Sequence, residues 1–444
     1  MNGLDFFSHD LRAMGLSLMG SKAIPRRFAQ NYTQEGARFH FTYKYKDIAG
    51  LDGLVRADVT RRYDDWNPMI FPAVNAWFDL GKVAIPENPI VSSLKLTAGY
   101  GAAGREYYVP YERFGEYMRG GYPVIPNEGT PFFEGLNRLR STEFNIGAEA
   151  GLLDGRILLA AKYYDKKTED KFFMYRFGKL DDITGSNTGW WYWIPRETMF
   201  TRDSGIDNRG LEFDLSARII DSKEITWTAF ANATVNVNQI SKIEPIDARG
   251  KDIGSNMYVN ANIRGYQVGA LYGYDIDDTG AFVDYVPDGR ITEVDKKVLG
   301  NAMPKFYGAF GTTFRYGRAT LDLLCNAATG FSLANLNRLH AAGANFDSDN
   351  DGVLDAYELT PNFVERADYF RISRLGVSYD IPFTIGALKG VKVSATAINL
   401  LTCSKYSGWN PDVNCFGVST LSNGVDYGAY PAVRTFVLGV SANF

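Results

Sequence analysis

The residues best suited to chemistry sit in one short stretch: Asp347, Asp349, Asp351, Gly352, Asp355 and Glu358. Their spacing is that of a calcium loop, D-x-D-x-D-G with a glutamate at its twelfth position. Carboxylates at alternate positions are hard oxygen donors, the glycine permits a sharp turn, and Glu358 can chelate with two oxygens. The preceding TGFSLANLNRLHAAGANF is only partly helical in pattern, so the flanks are not those of an EF-hand. The spacing predicts a Ca2+ loop; the alternative is an acidic loop in water. A degraded copy at Asp284, Asp288, Gly289, Thr292 and Asp295 has Val286 where a ligand should stand. Calcium is not expected there.

Two aromatic clusters follow. Trp190, Trp191, Tyr192 and Trp193 are consecutive, and Tyr107, Tyr108, Tyr111, Phe114, Tyr117 and Tyr122 crowd a second segment. Flat rings with a polar edge suit surfaces that are apolar on one side and wet on the other. They could contact a sugar or peptide substrate; membrane-interface girdling or loop packing is the competing role. Cys403 and Cys415 flank one predicted surface loop and could close it as a disulfide in an oxidising compartment. Otherwise they are two unpaired thiols. Cys325 lies in a predicted strand and reads as a small apolar residue. His9, His40 and His340 are scattered, and no nucleophile elbow or phosphate loop is present. No enzyme is expected.

Elements that could position these loops are legible in the alternation. Leu211, Phe213, Leu215, Ala217 and Ile219 alternate with Glu212, Asp214, Ser216 and Arg218. In a strand these sets point to opposite faces. Ile225, Trp227, Ala229, Ala231, Ala233, Val235 and Val237 repeat the pattern, with Phe230 an exception on the polar side. So do Phe39 to Tyr45, Leu94 to Tyr100, Phe144 to Leu152 and Val391 to Ala397. The segments run about 10 to 13 residues, the length of a tilted strand crossing a bilayer. Sandwich strands are nearer about 5 or 6. Connections alternate too. Short ones fall at 47–53, 153–156, 220–223, 316–318 and 382–390; long ones at 102–140, 168–208, 241–305, 330–368 and 402–431. Short periplasmic turns and long extracellular loops mark a transmembrane barrel. Strict alternation gives about 13 strands, with the first and last both running toward the periplasm. Phe436, Leu438, Val440, Ala442 and Phe444 form the apolar face of the last strand.

Composition agrees. The chain has 444 residues, 45 glycines, 14% aromatics and a net charge of −4. No apolar run reaches the roughly 18 residues of a membrane helix, and the charge leaves no nucleic-acid footprint. Residues 1–37 read as a lead-in of uncertain structure, and 38–444 as barrel. The first thirty residues show no secretory signal.

Several motifs in order resemble the SusC/RagA family of TonB-dependent outer-membrane transporters. They are GYQVGALYGY from Gly265, LGNAMPKFYGAFGTTFRYG from Leu299, DYFRISRLGVSYDIP from Asp368, AINLLTCSKYSGWNPDV from Ala397 and the closing YPAVRTFVLGVSANF. SSLKLTAGYGAAG and IFPAVNAWFDL fit earlier barrel strands more loosely. The resemblance implies an all-β antiparallel barrel of roughly 22 strands around an N-terminal plug. This chain corresponds to the C-terminal 13 or so, and is expected to be a partial chain without plug or TonB-gripped segment. It implies the outer membrane and its lipid as surroundings, and uptake of oligosaccharides or peptides too large for porins. It also implies a SusD-like surface lipoprotein as partner and TonB as energy source. Two rival readings are a structural or adhesive outer-membrane barrel and a soluble carbohydrate-binding β-protein.

Overall fold

The computed structural model describes residues 33–62, 65–66, 69–85, 88, 90–105, 139–169, 174–177, 197–200, 203–244, 251–252, 259–291, 295–342, 359–382, 389–415 and 423–443. Thirteen antiparallel strands pair in chain order into one sheet. They are β1 (Thr33–Tyr45), β2 (Ala49–Arg62), β3 (Met69–Asp79), β4 (Val91–Arg105), β5 (Leu139–Leu152), β6 (Ile157–Glu169) and β7 (Asp203–Asp221). Then come β8 (Ile225–Glu244), β9 (Phe306–Tyr316), β10 (Ala319–Thr329), β11 (Tyr369–Asp380), β12 (Lys389–Ser404) and β13 (Thr435–Asn443). Among the described residues, β1 and β13 each pair on one side only. The first strand starts at Thr33, ahead of the boundary drawn at residue 38. Gln34, Glu35, Gly36 and Ala37 carry no apolar alternation, so that turn of pattern is silent in the sequence.

Tight turns join the strands at one end of the sheet. Lys46 and Asp47 both take left-handed φ (48° and 51°) in the three-residue connection between Tyr45 and its partner Ala49. Ile48 N donates to Tyr45 O at 2.8 Å across it. Leu153, Asp154 and Gly155 are also left-handed, and so is Gly317 between β9 and β10. At this same end, β3 and β4 are linked through a short helix, α1 (Leu80–Ala84). Asp79 caps α1 by accepting from Lys82 N at 3.2 Å.

Register carries the apolar face from strand to strand. Tyr43 lies opposite Leu51, Leu51 opposite Ala76, Ala76 opposite Ala98 and Ala98 opposite Ile146. The row goes on through Tyr163, Leu211, Val235 and Phe306 on β6 to β9. A lower row runs Phe314, Leu321, Val377, Ala395 and Leu438 across β9 to β13. These side chains are half-buried or exposed, with Leu438 85% exposed. On β9 the exposed Phe306, Phe310, Phe314 and Tyr316 span about ten residue steps. At about 3.4 Å per step and a tilt of about 40°, that is a band about 25 Å tall, the apolar height of a barrel in a bilayer.

The opposite face is polar. Lys162 reaches Glu143 (3.8 Å) on one neighbouring strand and Glu212 (3.6 Å) on the other. Tyr164 donates to Asn236 Oδ1 at 2.8 Å, and Thr313 to Asp322 Oδ1 at 2.7 Å. Phe230, the exception in the alternation, stands opposite Gly311. Its ring covers that glycine so closely that an added Cβ would lie 2.3 Å away. The ring lies along the wall, occupying the space a side chain at 311 would fill.

Candidate functional site: the polar face and its extracellular lobe

The long connections of the C-terminal strands fold together. Asn260–Ile263, Ala270–Tyr274 and Lys296–Gly300 from the β8–β9 connection form a small sheet with Lys251–Asp252. Ser332–Asn335 and Val364–Arg366 from the β10–β11 connection pair with each other. Val425–Asp426, from the β12–β13 connection, runs parallel to Ser332–Asn335. A helix, α2 (Leu336–Ala342), follows the central strand. One hydrophobic core draws on all three connections: Val259, Leu271, Leu336, Leu339, Leu359 and Val425 are at most 2% exposed. A Cβ on Gly273 would lie 2.0 Å from the Leu359 carbonyl oxygen, so only glycine lets these two segments meet.

Polar clamps tie the same pieces. Glu365 accepts from Ser407 N and Ser407 Oγ, both at 2.8 Å, and pairs with Arg338 at 3.0 Å. Asn335 Nδ2 adds a bond to Glu365 at 3.2 Å. Burial pushes the Glu365 carboxyl up, and these donors outweigh it, leaving it below the usual glutamate range. Tyr406 donates to Asp426 Oδ2 at 2.7 Å. Its phenol is held well above the ordinary tyrosine value, first by burial and then by that carboxylate.

The lobe rests on the polar side of the sheet. Ile206 and Ile240, which alternate with the apolar-belt residues of β7 and β8, bury against Val268 of the lobe. Arg371 shares its face with Asn326, its cross-strand neighbour. It is clamped to Asn410 (2.7 Å) and Asp412 (3.2 Å) from the last connection. On the outer face, the belt gives way above Tyr163 and Leu211 to charge. Arg209 pairs with Asp165 (3.2 Å) and Asp207 (3.6 Å). On β6 and β7 the apolar belt therefore ends before the lobe contact at Ile206 begins.

The calcium-loop residues Asp347, Asp349, Asp351, Asp355 and Glu358 lie outside the described residues, as do Tyr107, Tyr108, Trp190, Trp191, Tyr192, Trp193 and Phe444. Of the degraded copy, Thr292 also lies outside. The carboxylates described there serve their own loop. Asp295 accepts from Tyr285 N and Val286 N, Asp284 from Gly289 N, and Asp288 from Arg290 N. Among the described residues no group of three or more metal-ligating side chains is assembled. The disulfide expectation is corrected, because Cys403 and Cys415 are free. Cys403 pairs in register with Phe370 on the outer, apolar face, whereas Cys415 packs against the lobe core. A strand wall separates the two thiols. Cys325, expected as a small apolar strand residue, is one, buried on β10 opposite Phe310.

Sequence reasoning missed the lobe itself. Its one signal was Ala270–Tyr274, an unbroken apolar run buried on both faces where a solvated loop should alternate or be polar.

No family model matches the chain. It is 24% identical over 424 residues to TonB-dependent receptor P3 of Formosa agariphila, covering 83% of this chain and 41% of that protein. It is 27% identical over 405 residues to TonB-dependent receptor SusC of Bacteroides thetaiotaomicron, covering 80% and 38%. The structure of the RagAB peptide transporter superposes with a TM-score of 0.68 at 18% identity, over 93% of this chain and 48% of that one. The chain is SusC/RagA-like. The sheet has an outer-membrane β-barrel fold, so its apolar belt faces outer-membrane lipid and its polar face lines the lumen. The chain spans less than half the length of the curated relatives it matches.

Proposed function

We propose that this chain forms part of the wall and extracellular rim of a TonB-dependent importer of oligosaccharides or peptides. In this reading a SusD-like surface lipoprotein covers the rim, and TonB acts through a plug. The observation that carries it is the joining of three features in one chain. An apolar belt of bilayer height backs a polar wall, and a folded lobe stands on the lumen side of that wall. An adhesin needs the belt and a display surface, but has no use for a lobe seated over the lumen. Similarity to SusC and to the RagAB transporter supports the same reading.

The test is genetic and biochemical together. Deleting the gene should abolish growth on an oligomeric nutrient while growth on its monomer continues, and a tonB deletion should do the same. Affinity purification of the protein from outer membranes should bring down a surface lipoprotein. Growth unchanged on every oligomeric source would reject import. A chain that purifies monodisperse without detergent would reject the membrane barrel itself.

The D-x-D-x-D-G loop ending at Glu358 is proposed as a Ca2+ site on the extracellular side, supported by its spacing alone. Calorimetric titration with CaCl2 should show one binding event that is lost in Glu358→Ala; unchanged affinity would reject the site. The tryptophan-rich segment at 190–193, with Tyr107 and Tyr108, is proposed as a substrate-contacting surface, on the chemistry of its rings.

A further inference from the structure

One large aromatic near the lobe is placed unlike the others. Trp409 is 84% exposed, yet the turn that carries it is anchored on both sides. Before it, Ser407 is bound to Glu365 through both its amide and its hydroxyl. After it, Asn410 Oδ1 accepts from Arg371 at 2.7 Å and from Asp412 N at 3.2 Å, while Asp412 Oδ2 meets Arg371 at 3.2 Å. Arg371 is itself held over the Tyr369 ring, 5.0 Å from its centroid. Between these anchors Gly408 passes so close to the Tyr406 ring that a Cβ there would lie 2.4 Å from it. A fold gains almost nothing from an indole left in water. Rigid presentation of such a ring instead removes the ordering cost of binding something to it.

The position of the turn narrows what that is. Arg371 and Tyr369 point to the polar face of the sheet, so the turn sits on the lumen side and not in the lipid belt. A bilayer-interface role is thereby disfavoured. We propose that Trp409 is a ring-stacking contact for a neutral oligosaccharide at the extracellular mouth of the lumen. The inference rests on the importer reading and narrows its substrate class. An indole face matches the apolar C–H face of a pyranose. Asp412, 57% exposed on its side chain, stands three residues away as an acceptor for sugar hydroxyls. Paired with Arg371, it leaves the turn without a free cation for a uronic acid or a sulfated sugar. The nearby guanidinium of Arg371 is already engaged by Asn410 and Asp412 and offers little to an anion.

The test uses the full chain in detergent, titrated calorimetrically with maltoheptaose, cellohexaose, xylohexaose and mannohexaose, and separately with polygalacturonate and a tryptic casein digest. One neutral oligosaccharide should bind, with its affinity falling about tenfold in Trp409→Ala and largely kept in Trp409→Tyr. The tryptophan emission of the wild type should shift to the blue on binding, and that shift should vanish in Trp409→Phe. Tyr430→Ala, removing a ring that is 85% exposed and outside these clamps, should leave affinity unchanged. Because Trp409 packs on little, its variants should melt as the wild type does. Unchanged sugar affinity in Trp409→Ala, binding confined to peptides or to polygalacturonate, or no binding of any neutral sugar would each overturn the proposal. Binding is read without transport, so a chain that binds sugar through Trp409 yet supports no uptake refutes the importer reading and leaves the contact standing.

Discussion

The membrane wall and the extracellular lobe use the same apolar residues in opposite ways. On the wall, Phe213 is 45% and Leu438 85% exposed, each in a register row of similar neighbours. In the lobe, Leu271 is fully buried and Leu339 is 1% exposed, each surrounded by parts of other loops. The difference follows from the solvent each region meets. Lipid is as apolar as leucine, so the wall needs only satisfied backbone groups and an apolar surface. The lobe stands in water and needs a core. One chain thus holds a sheet without a core beside a small globular body with one.

The sharpest way to break the comparison is to move one substitution between the two regions. Leu271→Ala should cost the lobe about 2–5 kcal/mol, since it removes packed atoms and leaves a cavity. Leu438→Ala on the wall removes the same atoms from contact with lipid and should cost far less. Limited proteolysis should then cut the lobe of Leu271→Ala while the heat-modifiable gel mobility of the barrel is kept. Equal losses in both variants would mean that the wall too is stabilised by side-chain packing.

The reverse experiment introduces charge. Phe213→Arg should destabilise the wall by about 2–4 kcal/mol if its position lies near the bilayer midplane. Glu212→Arg, one residue away on the lumen face, should stay within about 1 kcal/mol, because both the pairing with Lys162 that it removes and the repulsion that it adds are solvent-exposed. Urea titrations of folding into phospholipid vesicles measure both. A similar cost at 212 and 213 would deny the two-faced wall.

The wall was legible in the sequence, and the lobe was not, for one physical reason. Wall strands are read by a period of two, which needs no knowledge of partners. Leu211 to Ala217 and Val391 to Ala397 announced their faces unaided. Even Phe230, the apparent error, reports a cross-strand glycine that sequence distance hides, since Gly311 lies far along the chain. The lobe is assembled from long-range contacts among three connections, with Val425 beside Ala334 and Gly273 against Leu359. No local pattern encodes those meetings. The same blindness produced the disulfide expectation, because spacing cannot tell that Cys403 faces lipid and Cys415 the lobe.

A third prediction concerns how the lobe responds to acid. Glu365 titrates below the ordinary glutamate value in the folded lobe. For a depressed carboxyl, the stabilisation is present above the unfolded value and is lost as pH falls through the folded one. Protection of the amides in 332–335 and 364–366, taken as exchange relative to the intrinsic rate at each pH, should therefore fall as pH drops below about 4. Glu365→Gln should be loosened at neutral pH and should lose that acid sensitivity. A wild-type lobe equally protected at pH 3 and pH 7, each about a unit or more from the ordinary glutamate value, would assign the clamp to packing alone.

The smallest expected effect is none, and it still discriminates. Dithiothreitol should leave the gel mobility, melting and lobe protection of the wild type unchanged, because neither Cys403 nor Cys415 is bonded. Maleimide labelling sharpens this into a map of the two regions. Exposed Cys403 on the lipid face should react in detergent and be shielded in vesicles. Cys415 is half-buried against the lobe, and burial raises its thiol above the usual value, so it should react slowly in both. Fast labelling of Cys415 would mean that the lobe opens. Labelling of Cys403 that ignores lipid would mean that the belt does not face the bilayer.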